Sequence, residues 1–181
     1  MKKIFSASGF LFLAAFVSGF GGSAPVNPPP TVSTLDLDRY DGMWFEIARF
    51  EQTFQKGCVR STAEYRVTSQ SDTSAELSVL NRCTKESGGS SSAEAKAWVP
   101  DLSDPGKLRV RFFVFSSDYW ILELGEGMRE YSYTVVSNPK KSALWILSRT
   151  PGLPKETLDG ILLRLRVMGF DTSKLVYDDW R

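Results

Sequence analysis

Histidine, the side chain that most often acts as a general base or a metal ligand, is absent from the 181 residues of the chain. Its absence also removes the usual partner of a nucleophilic serine or cysteine. Acid–base catalysis by carboxylates remains open, but it would need acidic side chains brought together inside the fold. The composition therefore disfavours the common hydrolases and metalloenzymes, and we predict neither a metal site nor a cofactor.

The chain contains two cysteines, Cys58 and Cys83. Two cysteines allow a single pairing, and a disulfide persists in an oxidising compartment. We expect the bridge because the N-terminus resembles an export signal; the alternative is two separate buried thiols. A hairpin turn over 69–72 would place the cysteines on opposite faces of their strands. The bridge would then need a β-bulge, or an irregular strand start after Gly57.

Residues 1–24 have the parts of an export signal, with two lysines after the first methionine, an apolar run at 10–17 and small residues beyond it. The run is too short to span a bilayer, so we expect cleavage at a site that the sequence does not fix. No cysteine stands in this region to be acylated, which predicts a mature protein without a lipoprotein anchor. The proline-rich stretch 25–34 predicts an extended linker without packed structure, followed by one domain over 35–181.

Basic and acidic side chains nearly balance, with 22 Lys and Arg against 21 Asp and Glu. They are interspersed and form no basic tract, which argues against nucleic acid as a partner. A near-neutral chain also has no long-range attraction to anionic membrane surfaces. Hydrophobic residues make up 42% of the chain, enough for the core of one domain.

Eight β-rich runs follow the linker, separated by short clusters of Gly, Pro, Asn, Asp and Ser. Their roughly even spacing and hairpin-length connections predict an all-β protein, built as an antiparallel barrel or sandwich. The runs are 44–53, 59–68, 75–84, 93–99, 108–115, 119–124, 131–137 and 143–150. No segment of helical periodicity interrupts them, which disfavours a parallel α/β sheet.

Alternating side-chain types assign the faces of several runs. In the second run Arg60, Glu64 and Arg66 share one parity, whereas Ala63 and Tyr65 share the other. The charged parity must face water, so the other parity faces an interior. Small inward residues on one strand beside large ones on another suit a barrel with room inside.

One amphipathic helix follows the last run. From Pro154 onward, apolar residues recur with one-sided helical spacing between Leu158 and Leu165. Pro154 suits the first turn of this helix, and Gly169 suits the position just past its end. We expect the apolar stripe to pack on the outside of the barrel, the only large surface available.

Two motifs at the ends of this pattern resemble those of the lipocalin family. Gly42-Met43-Trp44 is similar to the Gly-x-Trp with which lipocalins enter their first strand, and Arg149 is similar to the arginine near the end of their last barrel strand. The Gly57-Cys58 segment and the C-terminal helix are similar to the bacterial, apolipoprotein D-like (outer-membrane lipocalin) branch. The resemblance is colinear over 35–177, and the facing of residues 131–137 is left unassigned.

The resemblance implies an eight-stranded antiparallel up-and-down barrel with one C-terminal α-helix packed outside. Trp44 would close one end, Arg149 would lie over its indole and bind nearby backbone carbonyls, and Gly42 would let the backbone approach closely. A cation–π contact of this kind contributes about 0.5–2 kcal/mol. Taken singly, Trp44 would pass for ordinary core and Arg149 for an ordinary surface charge.

Alternation from Arg149 places Leu147 and Trp145 on the inward face, progressively nearer an open mouth. Trp145 is the strongest candidate for touching a ligand, and the resemblance agrees. The other predicted lining residues are Ala63, Tyr65, Leu77, Val79, Asn81, Ala95, Ala97, Val110 and Phe112. Asn81 and the Tyr65 hydroxyl are polar groups suited to orienting a head group. The alternative for each residue is that it merely fills the core.

The function implied by the resemblance is non-catalytic binding and transport or storage of a lipid-like ligand, a fatty acid or a lysophospholipid, in the bacterial cell envelope. The implied location is the periplasm, with or without association with the outer membrane. Transient membrane contact and a homodimer are further expectations. An aromatic cluster around one turn could form part of the mouth: Phe112, Phe113, Phe115, Tyr119 and Trp120.

Two other functions stay open. A lipocalin-fold enzyme acting on a lipophilic substrate would need acidic side chains inside the cup, and Glu46 is the candidate, although pairing with an arginine would also explain it. A carrier of haem or pigment would have to use a tyrosine as the iron ligand, because histidine is absent.

Overall fold

The computed structural model describes residues 27–180, so the expected export signal at 1–24 lies outside the described residues. The described chain forms nine β-strands, two α-helices and two 3-10 turns. In chain order these are α1 (Leu37–Tyr40), β1 (Gly42–Phe50), a 3-10 turn (Thr53–Gln55), β2 (Cys58–Gln70), β3 (Ala75–Lys85), β4 (Ser90–Val99), β5 (Lys107–Phe112), β6 (Phe115–Gly125), β7 (Tyr133–Ser137), β8 (Leu144–Ser148), α2 (Lys155–Val167), a second 3-10 turn (Thr172–Lys174) and β9 (Leu175–Tyr177).

The first eight strands pair antiparallel in sequence order, and β1 pairs with both β8 and β2. This double pairing closes the sheet, so the predicted eight-stranded up-and-down barrel is confirmed. The β1–β2 ladder is short, because it runs only from Gly42 opposite Tyr65 to Phe45 opposite Thr62. Beyond Phe45 the edge of β1 pairs instead with β9, over residues 48–50.

The C-terminal segment that follows β9 occupies the space where β1 and β2 separate. The backbone N–H of Asp178 donates to the Ile47 carbonyl, and that of Asp179 donates to the Val59 carbonyl. The indole Nε1 of Trp180 donates to the Glu46 carbonyl at 2.7 Å. The segment thereby binds both strands and completes the wall that their own ladder leaves open.

Two apolar cores share the sheet. One lies inside the barrel and includes Trp44, Tyr65 and Leu108; the other lies between the outer wall and α2 and includes Ile161 and Leu165. The helix occupies Lys155–Val167 as its pattern predicts. No helix among residues 27–180 is both long and apolar enough to cross a membrane.

The β2–β3 hairpin corrects the predicted register. Its turn lies at 71–74 instead of 69–72, and a second bulge follows Val67. In the hairpin centre Ala63 stands opposite Asn81 and Tyr65 opposite Val79, so inward residues face one another. The irregularity between Cys58 and Arg60 is the bulge that the disulfide needs.

The disulfide between Cys58 and Cys83 is present and confirms the prediction. The two Cα atoms are 5.6 Å apart, within the usual range for a bridge. It joins the first residue of β2 to the end of β3, at the open end of the barrel. The bridge thus fastens the mouth side of this hairpin.

The part of the predicted linker that the structure describes, 27–34, has no helix or strand, but it packs on the barrel. The Val32 N–H donates to the Ile121 carbonyl at 3.0 Å, and Pro29 is buried. Gly106 leaves room for this segment, because a Cβ there would come within 2.6 Å of the Val32 carbonyl oxygen. The expectation of a segment without packed structure is therefore wrong for these residues. Proline content predicted the extended backbone but could not show which surface it meets.

Candidate ligand-binding site

A cavity of about 610 Å³ lies inside the barrel and opens at the end where β1 finishes and β2 begins. This volume falls within the roughly 300–1,000 Å³ of typical small-molecule sites. Most of its wall comes from the inward residues of the strands. Cys58, Cys83 and the loop residues Phe54 and Gln55 lie around the opening.

The structure brings most of the predicted lining residues to this cavity. Those on its wall are Ala63, Tyr65, Val79, Asn81, Ala97, Val110, Phe112, Trp145 and Leu147. Leu77 and Ala95 are not on its wall, which corrects the prediction for both. Leu77 is fully buried in the packed interior core, and the half-buried Ala95 packs against the same core. Alternation gives the face of a residue, but it does not tell how far up the barrel the packed floor extends.

Three tyrosine hydroxyls form a chain at the floor of the cavity. The hydroxyl of Tyr119 lies 2.8 Å from that of Tyr65 and 2.7 Å from that of Tyr40. Burial raises the pKa of Tyr40 to about 12 and the pKa values of Tyr65 and Tyr119 well above the ordinary value. These hydroxyls are therefore neutral donors and acceptors. Tyr119 thus lies deep inside the barrel, and its predicted place in an aromatic cluster at the mouth is wrong.

Glu46 projects into the cavity wall from the middle of β1, one inward step above Trp44. Its carboxylate is held at both oxygens, because Arg49 Nη1 donates to Oε1 and Gln55 Nε2 donates to Oε2, each at 2.8 Å. The Gln55 Oε1 in turn accepts from the indole Nε1 of Trp145 at 2.9 Å. Glu46, Gln55 and Trp145 thus connect β1, the loop at the mouth and β8.

The Arg49 guanidinium is buried between β1, β2 and the C-terminal segment. Its Nη1 also donates to Asp178 Oδ1 at 2.5 Å, and its Nη2 donates to the Cys58 carbonyl. Burial raises the pKa of Glu46 to about 7, an effect that Asp178 reinforces and that Arg49 and Gln55 oppose. Burial likewise raises the pKa of Asp178. Glu46 therefore pairs with an arginine, Arg49, inside the wall.

The opposite end of the barrel is closed by Trp44, which is fully buried. The guanidinium of Arg149 lies over its indole and also binds the backbone of the segment before it. The Arg149 Nη2 donates to the carbonyls of Arg39 and Asp41, both at 2.8 Å, and its Nη1 donates to the Met43 carbonyl at 2.9 Å. The structure thus brings together the tryptophan and the arginine that the two motifs singled out.

Gly42 lies within this cluster and has a φ of +104°, which L side chains rarely adopt. A Cβ at this position would also stand 3.2 Å from the Arg149 Nη1. The first residue of the Gly-x-Trp motif therefore has both a conformational and a steric reason to be glycine.

Apolar side chains project from two loops at the mouth. Phe113 and Val114 form the β5–β6 turn and Phe115 begins β6; their exposed fractions are 90%, 81% and 77%. Phe54, in the first 3-10 turn, is also exposed. Phe113 has a φ of +52°, an unfavourable conformation for a bulky residue. These four residues are called the mouth patch below; Trp120 is not one of them, because it lies on the outer face beneath Lys107.

The strand β7, whose facing the sequence left open, is now assigned. Thr134 and Val136 stand opposite Leu147 and Trp145, so they face the interior. Val135 lies in the outer core beneath α2.

The sequence did not predict the contact of Gln55 with Trp145 and Glu46. Gln55 lies in the segment between β1 and β2, which has no periodic pattern that could assign its side chain to a face. Among residues 27–180, no cluster of three or more Cys, Asp or Glu side chains could hold a metal ion.

A closed antiparallel barrel with an outer helix, a cavity open at one end and an indole–guanidinium stack at the other defines a lipocalin. The family model described as a lipocalin-like domain matches residues 35–179, and the chain belongs to this family.

Several characterised proteins are similar over most of their length. An outer membrane lipoprotein named Blc from Vibrio cholerae serotype O1 is 40% identical over 148 residues, which cover 81% of this chain and 83% of that protein. Blc of Escherichia coli strain K12 is 33% identical, with 91% and 93% covered. Apolipoprotein D from Macaca fascicularis is 29% identical, with 93% of each chain covered. The similarity to a bacterial and apolipoprotein D-like branch is thereby confirmed.

Among solved structures, insecticyanin from the tobacco hornworm Manduca sexta is similar, with a TM-score of 0.63 and 23% identity over 84% of this chain and 85% of that one. Lipocalin 12 from rat epididymis gives a TM-score of 0.61 at 14% identity, with 87% and 94% covered. At these identities the likeness concerns the fold alone.

Proposed function

We propose that this protein binds a lipid-like ligand, a fatty acid or a lysophospholipid, inside the barrel and transports or stores it in the bacterial envelope without transforming it. The observation that carries the proposal is the cavity of about 610 Å³, open at one end and walled by apolar strand residues with a few polar groups. Such a wall buries an alkyl chain favourably, at about 0.8 kcal/mol for each methylene group.

The place of action in this proposal is the cell envelope. Two relatives of high coverage carry the name outer membrane lipoprotein, which supports an envelope location here. The bridge between Cys58 and Cys83 is consistent with an oxidising compartment such as the periplasm. Association with the outer membrane, without a lipoprotein cysteine, and assembly into a homodimer are parts of the proposal that need separate tests.

The arrangement around Glu46 supports binding over catalysis. A catalytic carboxylate has to reach the substrate and exchange a proton with it. Glu46 is held in place by Arg49 and Gln55, and among the described residues no second buried carboxylate lines the cavity to share a proton with it. The floor tyrosines bond to one another, which favours a structural role for Tyr65 and Tyr119 over iron ligation.

Transient contact with a lipid surface belongs to the same proposal. Phe54, Phe113 and Phe115 of the mouth patch lie beside the cavity opening, so contact there would let a ligand pass between bilayer and barrel without crossing water. Burial of one such side chain contributes about 1.5–3 kcal/mol, and four of them would compensate for the missing electrostatic attraction.

A fluorescence assay tests the binding proposal. N-phenyl-1-naphthylamine, an uncharged apolar probe, should bind the purified protein and be displaced by a lysophospholipid. Trp145→Ala should weaken probe binding about tenfold, because it removes roughly 150–250 Å² of apolar wall and frees Gln55. Trp98→Ala is the matched control, since Trp98 lies on the outer face under Arg111.

Two outcomes would contradict the proposal. If both tryptophan variants bind the probe as tightly as the unaltered protein does, the probe does not bind in the cavity. Conversion of a recovered lipid, abolished by Glu46→Gln and followed by mass spectrometry, would show an enzyme instead of a carrier.

A further inference from the structure

The charged side chains along the cavity differ in their exposure to solvent. Glu46 is 4% exposed, so its carboxylate belongs to the wall itself. The two other charged residues on the wall, Arg82 and Asp118, form ion pairs with Glu64 and Arg109, and the side chains of Arg82 and Asp118 are about half exposed. Within residues 27–180, the deep wall of the cavity is therefore acidic.

The nearest buried cation, Arg49, does not provide a positive charge that could attract an anionic ligand into the cavity. The Arg49 side chain is 1% exposed, and it does not line the cavity. Its guanidinium already contacts Glu46, Asp178 and, at 3.7 Å, Glu51, in addition to the Cys58 carbonyl. Three carboxylates share this one guanidinium, so an incoming anion would find no free positive charge there.

We infer that the cavity selects amphiphiles whose polar end is uncharged and carries a hydrogen-bond donor, such as a long-chain alcohol or a monoacylglycerol, over an ionised fatty acid of equal length, and that Glu46 determines this preference. The inference rests on the proposed function, because it concerns lipid binding in the same cavity. It narrows that proposal, since it disfavours the free fatty acid as the form bound at neutral and alkaline pH.

The physical reason is the number of acceptor positions on Glu46 and the low polarity of the wall around it. Each carboxylate oxygen accepts one hydrogen bond here and has a second lone pair that a ligand hydroxyl can use. An ionised ligand carboxylate brings a second negative charge and no proton. Like charges repel strongly where water is excluded, so that ligand binds only with uptake of a proton.

This preference should depend on pH. Burial and Asp178 raise the pKa of Glu46 to about 7, against the opposing effects of Arg49 and Gln55. Tyr65 lines the same cavity from β2 and stays neutral, because burial raises its pKa well above the ordinary value. Below pH 7 Glu46 carries a proton and tolerates a ligand carboxylate; above pH 7 it is ionised and excludes one.

The test is competition for N-phenyl-1-naphthylamine by dodecanol, 1-lauroylglycerol and dodecanoic acid. At about pH 8.5 we expect both uncharged ligands to bind at least about tenfold more tightly than the acid, and at about pH 6 we expect this ratio to shrink to about threefold or less. Glu46→Gln removes the charge and keeps the shape. It should strengthen binding of dodecanoic acid about tenfold at the higher pH without strengthening that of dodecanol, because only the acid is relieved of a like charge.

A control and a second readout keep the inference open to refutation. Glu76→Gln makes the same charge change on the outer face, beside Lys96, and should not alter the ratio. If Glu46→Gln does not fold, the pH dependence of the ratio in the unaltered protein decides alone. Equal binding of acid and alcohol at both pH values, with normal probe binding, overturns the inference and leaves the proposed function standing. Failure of the protein to bind the probe or any of the three lipids overturns both.

Discussion

The guanidinium carbon of Arg149 lies 3.8 Å from the centroid of the Trp44 indole. The same guanidinium donates to four backbone carbonyls, three of them in the segment 39–43 and the fourth at Tyr131. One side chain thus holds together the start of β1, the end of β8 and the segment before β7. The closed end of the barrel depends on the planar shape of this group as well as on its charge.

Arg149→Lys is expected to lower the free energy of unfolding by about 2–4 kcal/mol, because lysine keeps the charge but cannot bind these carbonyls together. Urea denaturation followed by tryptophan fluorescence measures this loss. Arg66→Lys is the control, since Arg66 is exposed and forms only surface ion pairs, and its expected loss is below about 1 kcal/mol. Equal losses in the two variants would show that the hydrogen bonds from the Arg149 guanidinium to the backbone carbonyls do not stabilise the closed end.

The double variant Cys58→Ser/Cys83→Ser should be less stable by about 3 kcal/mol, because the bridge spans 25 residues of chain and restricts the unfolded state. Its affinity for N-phenyl-1-naphthylamine should also fall, since the bridge holds the hairpin at the mouth. Unfolding with and without dithiothreitol measures the first effect. The unaltered protein in dithiothreitol should have the same free energy of unfolding as the double variant. If dithiothreitol also destabilises the double variant, the loss does not come from the disulfide.

Stability should decrease between about pH 4.5 and pH 7 through Glu46. The ordinary pKa of this group is 4.5 and the folded protein raises it to about 7, so the folded state binds more protons over this interval. The stabilisation is complete below pH 4.5 and disappears as the pH rises through 7. The raised pKa of Asp178 acts in the same direction, whereas the lowered pKa of Glu64 acts in the opposite one.

The comparison with Glu46→Gln isolates this contribution from the other carboxylates. The unfolding free energy of the unaltered protein minus that of the variant should become smaller as the pH rises across the interval. Denaturation in urea at four or five pH values measures it. A difference that grows with pH would mean that the pKa of Glu46 is lowered in the folded state.

Phe113→Ser/Phe115→Ser should reduce binding to phosphatidylcholine vesicles about tenfold or more, because each ring contributes about 1.5–3 kcal/mol when buried in lipid. Sedimentation with sucrose-loaded vesicles measures the bound fraction. Leu163→Ser removes an exposed apolar side chain from α2, away from the mouth, and serves as the control. Similar binding by all three proteins would leave the mouth patch without a role at membranes.

Alternation along the strands carried most of what the sequence could predict. It placed Tyr65, Asn81 and Trp145 towards the interior, because a strand repeats its facing every two residues. Motif residues such as Trp44 and Arg149 identified the closed end. The count of eight strands and the position of α2 followed from turn residues and helical spacing.

What the sequence did not predict depends on contacts between distant segments. Gln55 reaches Glu46 from a loop, and Asp178 reaches Arg49 from beyond the last strand, so neither has a periodic pattern to reveal it. The hairpin register failed for a similar reason, since bulges follow local packing. Leu77 points inward as predicted but lies below the cavity, because the packed side chains at the closed end extend as far as its level.

The wedge formed by residues 178–180 between β1 and β2 has a practical consequence for anyone labelling this protein. A fluorescent reporter or affinity tag fused to the C-terminus at Arg181 would act on the contacts that residues 178–180 make with β1 and β2, next to the Glu46 carbonyl. A flexible spacer of several glycines and serines between the chain and the tag would keep the tag from disturbing these contacts. Attachment through the exposed surface of α2, for example at Val167, would avoid them altogether.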